Sequence, residues 1–454
     1  MHRFSRRSLL AASVAALAFA AERSVAQPRR APPPPPPTRS GPADVAIVGA
    51  GAAGIAAARR LIAAGRRVVV LEATGQVGGR CLTDTATFGT AYDRGAHSLY
   101  SPDINPVAKL ASQSGLDIYP APPGQRIRIG RRYAREGEME EFLAAVVRSN
   151  RAIADAARGR SDVSCAQVLP KDLGDWRSTI EFMLGPAQCG KDLAEISAAD
   201  FAHAVDRDSA LFCRQGLGAL IGKFASGLPV QLSTPVSRIT SVGRGVELDT
   251  PKGQIEARAV IVTASTNVLA AGKIKFQPEL PRRQLDAAAR LKLGSYDRVA
   301  LELPGNPLGL RPDELVFEKS SGNRTASIFA NVSGTTLCTV DVGGSFGRDL
   351  SAHGQAAMVD FALEWLGGLY GNEIKGAVKR RHATRWNEEP WTLGAMSAAA
   401  PGAQSARKLL MEPLGNRIWF AGEAVHETLW GTVGGAWESG ERAADAVAKV
   451  LGRK

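Results

Sequence analysis

Asp44-Val45-Ala46-Ile47-Val48-Gly49-Ala50-Gly51-Ala52-Ala53-Gly54 decides the fold of this chain. A short apolar strand, Val45 to Val48, runs into a glycine turn. An alanine-rich helix over Ile55 to Ala64 follows, and Gly65 stops it. Val68-Val69-Val70-Leu71-Glu72 then reads as a second buried strand, which makes a βαβ unit lacking its final segment. In that context Gly49 permits the tight turn, Gly51 lets the backbone approach a pyrophosphate, and Gly54 lets the helix pack close to the sheet. The helix N-terminus, at Ala53, offers free N–H groups and a positive dipole end to phosphate. Glu72, with Ala73 beside it, ends the second strand, where a carboxylate can accept ribose hydroxyls. The expected ligand is a dinucleotide.

The next segment, Gly75-Gln76-Val77-Gly78-Gly79-Arg80, narrows the choice. Gly79 and its neighbour allow close backbone approach, and Arg80 places a fixed positive charge near the diphosphate. Both favour FAD over a nicotinamide cofactor. At the other end, Trp419-Phe420-Ala421-Gly422-Glu423 precedes Gly431-Thr432-Val433-Gly434-Gly435-Ala436 and Ser439-Gly440. With Arg94-Gly95-Ala96-His97 and Thr234-Pro235-Val236-Ser237-Arg238-Ile239, these segments resemble the motifs of the flavin-containing amine oxidase family, from about Ala43 to Val450.

That resemblance implies an α/β fold: a discontinuous Rossmann-like FAD-binding domain with a second α+β substrate domain of mixed sheet and helices. The FAD-binding pieces are expected at 43–100, 212–270 and 410–454, and the substrate pieces at 101–211 and 271–409. It further implies that Gly95 and Ala96 face the flavin and that Val236 contacts the adenine. Gly422 and Glu423 would lie near the ribityl and pyrophosphate, with a surface helix cap the alternative for Glu423. Thr432 and Val433, starting the last helix, would bring N–H groups to the flavin edge where negative charge develops on reduction.

On the substrate side the chain departs from the family. A lysine often sits on a substrate-domain strand there, and Leu291-Lys292-Leu293-Gly294-Ser295-Tyr296-Asp297-Arg298-Val299 puts Arg298 at its position. Asp297 and Lys292 stay open as the relevant group, as does an arginine paired structurally with Asp297. Two aromatic side chains often cage the substrate nitrogen; here the corresponding residues are Met396 and Thr432, so simple monoamines do not fit that pattern. Trp391 and Trp430 either rebuild an aromatic wall or belong to the core. Ala395 stands where monoamine oxidases carry a flavin-linking cysteine, so the flavin is expected to be non-covalent. His97 and His426 are each either a proton carrier or a satisfied structural histidine.

The resemblance thus implies an FAD-dependent oxidoreductase. It would oxidise an amine or amino acid by hydride transfer to flavin N5, hydrolyse the imine and reduce oxygen to hydrogen peroxide. A desaturase acting on a carbon–carbon bond, and a catalytically silent flavin-bearing subunit, are the alternatives. The substrate is a small molecule in either enzymatic reading, and the sequence does not identify it.

The remaining features set the context. Residues 1–26 read as a twin-arginine export signal: Arg6-Arg7 precedes a modest apolar run, and Ser24-Val25-Ala26 offers a cleavage site. An amphipathic arm or lipid anchor is the alternative. Residues 27–42, with prolines at every position from 32 to 37, read as an extended spacer or a ligand for a proline-binding module. A periplasmic or secreted protein is therefore expected. The net charge of +12 is concentrated at the start: seven arginines against one glutamate in the first 43 residues supply half of it. Without a basic, aromatic-rich run, nucleic acid is not an expected partner. The five cysteines form no C-x-x-C pair and have no histidines at ligand spacing, so no metal site is expected. Apart from the leader, no apolar stretch is long enough to span a membrane.

Overall fold

A computed structural model describes residues 43–452. The expected signal at 1–26 and the spacer at 27–42 lie outside the described residues. No helix among the described residues is long and apolar enough to cross a membrane.

Two large sheets organise the molecule. The first has eight strands, in the order Val230–Gln231, Val68–Leu71, Ala43–Val48, Gly253–Val262, Gly245–Thr250, Arg238–Val242 and Lys275–Gln277. Ile418–Phe420 pairs beside the far half of Gly253–Val262. The ten-residue strand Gly253–Val262 is the hinge of this arrangement. Its first half pairs antiparallel with Gly245–Thr250, and its second half pairs parallel with Ile418–Phe420. On its other edge it runs parallel to Ala43–Val48.

The central strands are buried on both faces, as their continuous apolar sequence requires. Val45 and Ile47 pack with Ala57, Leu61 and Trp419 on one face, while Ala46 and Val48 pack with Val236, Val260 and Phe420 on the other. The alanine-rich helix occupies Ala52–Ala63, so it begins three residues earlier than its apolar pattern suggests; Gly51 is its N-cap, and the turn residues already form its first turn. Its alanines have a packing reason. The last helix, Val433–Val450, lies against it so closely that a Cβ on Gly440 would collide with the Ala53 carbonyl oxygen. Larger side chains would push the two helices apart.

The second sheet has seven strands: Arg381–Ala383, Tyr296–Glu302, Leu337–Gly343, Ser327–Ala330, Glu314–Glu318, Arg126–Ile129 and Arg132–Tyr133. Strand alternation divides Tyr296–Glu302 cleanly. Val299 and Leu301 enter an apolar core with Met358, Phe361 and Leu366 of helix Gln355–Tyr370, while Tyr296 and Arg298 point the other way. The stretch 181–204 is not one helix. Helix Arg177–Phe182 continues into the wider turn Met183–Ala187, which contains Pro186, and the helical backbone breaks at Gly190, whose φ is 68°; short turns at Leu193–Glu195 and Ala198–His203 follow. Helix Glu136–Ala156 buries Phe142, Ala145 and Ile153 against this group.

Candidate active site

One cavity of about 510 Å³ runs from the glycine turn of the first sheet to the strand of the second sheet that carries Arg298. Gly49, Gly51, Ala53, Glu72, Ala73, Gly79, Arg80, Gly95, Ala96, Val236, Gly422, Glu423, Thr432 and Val433 all line it. So do His97, Arg298, Trp391 and Met396. Two expected residues do not. Gly54 sits beneath the turn, where a Cβ would collide with the Gly49 carbonyl oxygen, so it shapes the cradle without touching a ligand. Trp430 is buried in the helical core and donates its indole N–H to Asp200 O at 3.3 Å. It is a core residue, and no aromatic wall forms from it.

The cradle is built from backbone. Gly51 bridges to Gly78, and a Cβ on Gly79 would come within 3.3 Å of Gly51 Cα, so the two glycine turns stack directly. Gly51 caps its helix with no side chain, which leaves first-turn N–H groups facing the cavity. Glu72 is fixed from both sides: Ala50 N–H donates to Oε2 at 2.7 Å, and Thr74 donates to Oε1 through N at 2.9 Å and Oγ1 at 2.8 Å. This donor set, with close-approach glycines and a fixed carboxylate, fits a diphosphate joined to ribose. Val236 lies in the loop before strand Arg238–Val242 rather than within a strand, buried beside the cavity.

Glu423 is buried, which excludes a surface helix cap. Its carboxylate meets Arg80 Nη1 at 2.9 Å and accepts from Ser397 Oγ at 2.6 Å and Gly431 N at 2.8 Å. Burial disfavours its charge, but the Arg80 charge and these hydrogen bonds prevail and hold its pKa below the usual value. Arg80 Nη1 also donates to Ala395 O at 2.5 Å. Thr432 caps the last helix by accepting from Gly435 N at 3.0 Å, and Val433 is the first helical residue.

At the other end of the cavity the structure shows how Arg298 is paired and where Asp297 and Lys292 lie. Arg298 Nη1 donates to Asp93 O at 3.0 Å, and its Nε lies 3.4 Å from Asp341 Oδ2, to which Tyr296 donates at 2.7 Å. Asp297 faces away, accepting from Thr384 Oγ1 and Trp386 N. Lys292 is exposed and does not line the cavity. Arg298 is therefore paired with Asp341, not Asp297.

His97 is buried, with Nδ1 2.8 Å from Asp93 Oδ2 and Nε2 unpartnered. Burial disfavours the Asp93 charge, yet the contacts with His97, Thr83 and the Leu217 amide outweigh it and lower the Asp93 pKa. That pairing fixes the ring orientation and leaves Nε2 as the free nitrogen. His426 lies outside the cavity. Its Nδ1 accepts from Thr428 and Leu429 amides and its Nε2 lies 3.3 Å from Glu438, so its role is structural. The five cysteines are all free and buried.

Sequence reasoning missed Tyr296, Tyr100, Gln188 and Arg207, which also line the cavity. Tyr296 was within reach, because a strand residue two before Arg298 shares its face. The other three carry no motif.

Several known proteins are similar to this chain. A lysine-specific histone demethylase 1 homolog 3 from Oryza sativa subsp. indica is 29% identical over 434 residues, covering 88% of this chain and 53% of that protein. The human lysine-specific histone demethylase 2 is 26% identical over 448 residues, covering 89% and 53%. The chain thus spans about half the length of these curated relatives. Among solved structures, the cyclohexylamine oxidase of Brevibacterium oxydans superposes with a TM-score of 0.76 at 22% identity, covering 90% of this chain and all of that one. Wild-type putrescine oxidase bound to putrescine gives 0.75 at 22% identity, covering 90% and 99%. These likenesses establish the mixed α/β fold. Residues 52–448 match the model described as flavin containing amine oxidoreductase, and the chain belongs to that family.

Proposed function

We propose that the protein is an FAD-dependent oxidase of amines or amino acids, exported already folded. The observation that carries this is the single cavity whose cradle, Gly49 to Glu72 with Gly79 and Arg80, opens directly onto Arg298, His97 and Met396. FAD, when bound, would supply a two-electron acceptor for the substrate's hydride and a route for those electrons to oxygen, with hydrogen peroxide as product. The protein's own contribution is placement. Backbone N–H groups and Arg80 would hold the diphosphate, and Glu72 would hold the ribose. The last helix, entered at Thr432 and Val433, points its positive end into the cavity and would favour negative charge on a flavin edge placed there. Arg298 would add a fixed cation beside the reacting end, and His97, oriented by Asp93 with its Nε2 buried, would shape that end of the cavity; the substrate reacts as the neutral amine through its own lone pair. Water then hydrolyses the released imine.

The flavin is held without a covalent bond, since Ala395 has no side chain able to form one. Acid precipitation should leave all the yellow colour in the supernatant. The test of function is a panel of amines and amino acids. Peroxide formed in air, with bleaching of the flavin under anaerobic conditions, supports an oxidase. Bleaching only by polycyclic alkenes refutes it in favour of carbon–carbon desaturation. Export is tested by replacing Arg6 and Arg7 with lysine, which should retain the protein in the cytoplasm.

A further inference from the structure

We propose that Arg207 anchors a carboxylate on the substrate, so that the amine oxidised is an amino acid. The inference rests on the amine-oxidising reading and narrows it. Arg207 lines the cavity from a polar loop, and among the described residues no carboxylate lies within ion-pairing distance of it. Its flanking residues Asp206 and Asp208 are exposed and make no ion pair with it.

The guanidinium is held by groups that leave its charge uncancelled. Nη1 donates to Gln188 O at 2.9 Å and Nη2 to Trp430 O at 2.7 Å. Its Cζ lies 5.0 Å from the Trp430 ring and 5.9 Å from the Tyr100 ring. Two carbonyls and two π faces fix the planar group while sparing part of its donor capacity. Of the other cavity arginines, Arg80 is committed to Glu423, Arg298 to Asp341, and Arg385 to Ser351 O and Glu388; Arg94 has no ion pair among the described residues but is not among those that border Gly431.

The position of this unmatched cation is informative. A Cβ built on Gly431 would lie 3.3 Å from Arg207 Nη2 and 3.7 Å from Met396 Cβ. Arg207 and Met396 therefore both border Gly431, the residue before Thr432, so the guanidinium lies close to the two places where an aromatic cage is absent. A guanidinium there repels a bare ammonium and attracts an anion. The cavity's acids offer no competing match. Glu72 and Glu423 are bound within the cofactor cradle, and Glu389 is exposed. A carboxylate, planar and bidentate, matches the guanidinium's free donors.

The test uses the FAD-loaded enzyme and a pair of probes differing in charge, benzoate and benzamide, titrated by perturbation of the flavin absorbance. Wild type should bind benzoate more tightly than benzamide. Arg207→Met should weaken benzoate about tenfold or more while leaving benzamide within about twofold, and Arg207→Lys should restore part of the loss. FAD content and Tm identify a variant that is merely misfolded, in which case the lysine variant alone decides. Benzoate binding no tighter than benzamide in wild type, or equal losses for both probes in a folded variant, overturns the assignment. Because binding needs no turnover, Arg207-dependent benzoate affinity in a protein that oxidises neither amines nor amino acids would uphold the anion site and remove the amine-oxidising reading, whereas oxidation of simple amines but of no amino acid would overturn the substrate assignment.

Discussion

Arg80 and Glu423 meet at 2.9 Å in the interior, joining the second glycine turn to the segment that leads into the last helix. The same carboxylate holds Ser397 and Gly431, so one buried group fixes three chain segments around the cavity. Each segment is irregular, and none could keep its place from local propensity alone.

Removing that carboxylate should therefore cost both stability and cofactor. Glu423→Ala leaves Arg80 without its counter-charge and strands two amides, a loss of about 3 kcal/mol or more. A denaturation midpoint should fall accordingly, and the purified protein should carry less than half the wild-type ratio of flavin to protein absorbance. Glu423→Gln, which keeps hydrogen-bonding oxygen, should fall between the two.

Gly440 supplies a test of packing that touches no ligand. Its replacement by alanine forces the last helix away from Ala53. Overpacking of this kind costs about 1–3 kcal/mol. Because that helix also starts at the cavity wall, at Thr432 and Val433, Gly440→Ala should lower Tm and weaken FAD affinity together. An unchanged FAD dissociation constant alongside a lowered Tm would show that the helix end is held independently of its body.

Asp297 predicts a pH dependence. Burial is the main cause that pushes its carboxyl up to about 6, and Oδ2 has no hydrogen-bond partner. A carboxyl with a raised folded-state pKa binds its proton more tightly when folded. Its contribution is thus favourable to stability at low pH and is lost as pH rises from about 4 through about 6. Asp297→Asn keeps an oxygen for Thr384 and Trp386 while removing the charge. The variant should be more stable than wild type at pH 8, by an amount of the order of 1–3 kcal/mol, and indistinguishable near pH 4. Thermal unfolding at the two pH values checks this.

Arg298 should separate the two halves of turnover. Replacing it with methionine leaves Asp341 unpaired next to the cavity. Flavin reduction by substrate should slow only modestly, while reoxidation by oxygen should slow about tenfold or more, because a fixed cation near the site stabilises developing anionic charge. Stopped-flow measurement of each half-reaction distinguishes this from a general loss of folding.

Much of the cofactor side was legible because its signals are local. A strand, a glycine turn and an Ala-rich helix lie within 30 residues, and the positive φ at Gly49 and Gly79 is met by no other residue as well. Arg80 and Glu423 were recognisable from motif resemblance, though their mutual contact was not. The substrate side was opaque for a physical reason. Arg207, Gln188 and Tyr100 come from separate loops and short strands brought together only by the packing of the helical turns around Pro186 and Trp430. Nothing in the local pattern of Val205-Asp206-Arg207-Asp208 distinguishes it from a solvated loop. Trp430 shows the converse error, since a tryptophan near the flavin motif in sequence is a core residue in space.

The central claim, that this cavity holds FAD and passes it electrons from an amine, is tested most directly by anaerobic titration of the purified yellow protein with a panel of amines and amino acids. The account predicts stoichiometric bleaching of the flavin band by at least one amino acid, with peroxide released when air is admitted. A protein that carries no flavin, or whose flavin is bleached by no amine or amino acid while dithionite reduces it fully, would contradict it.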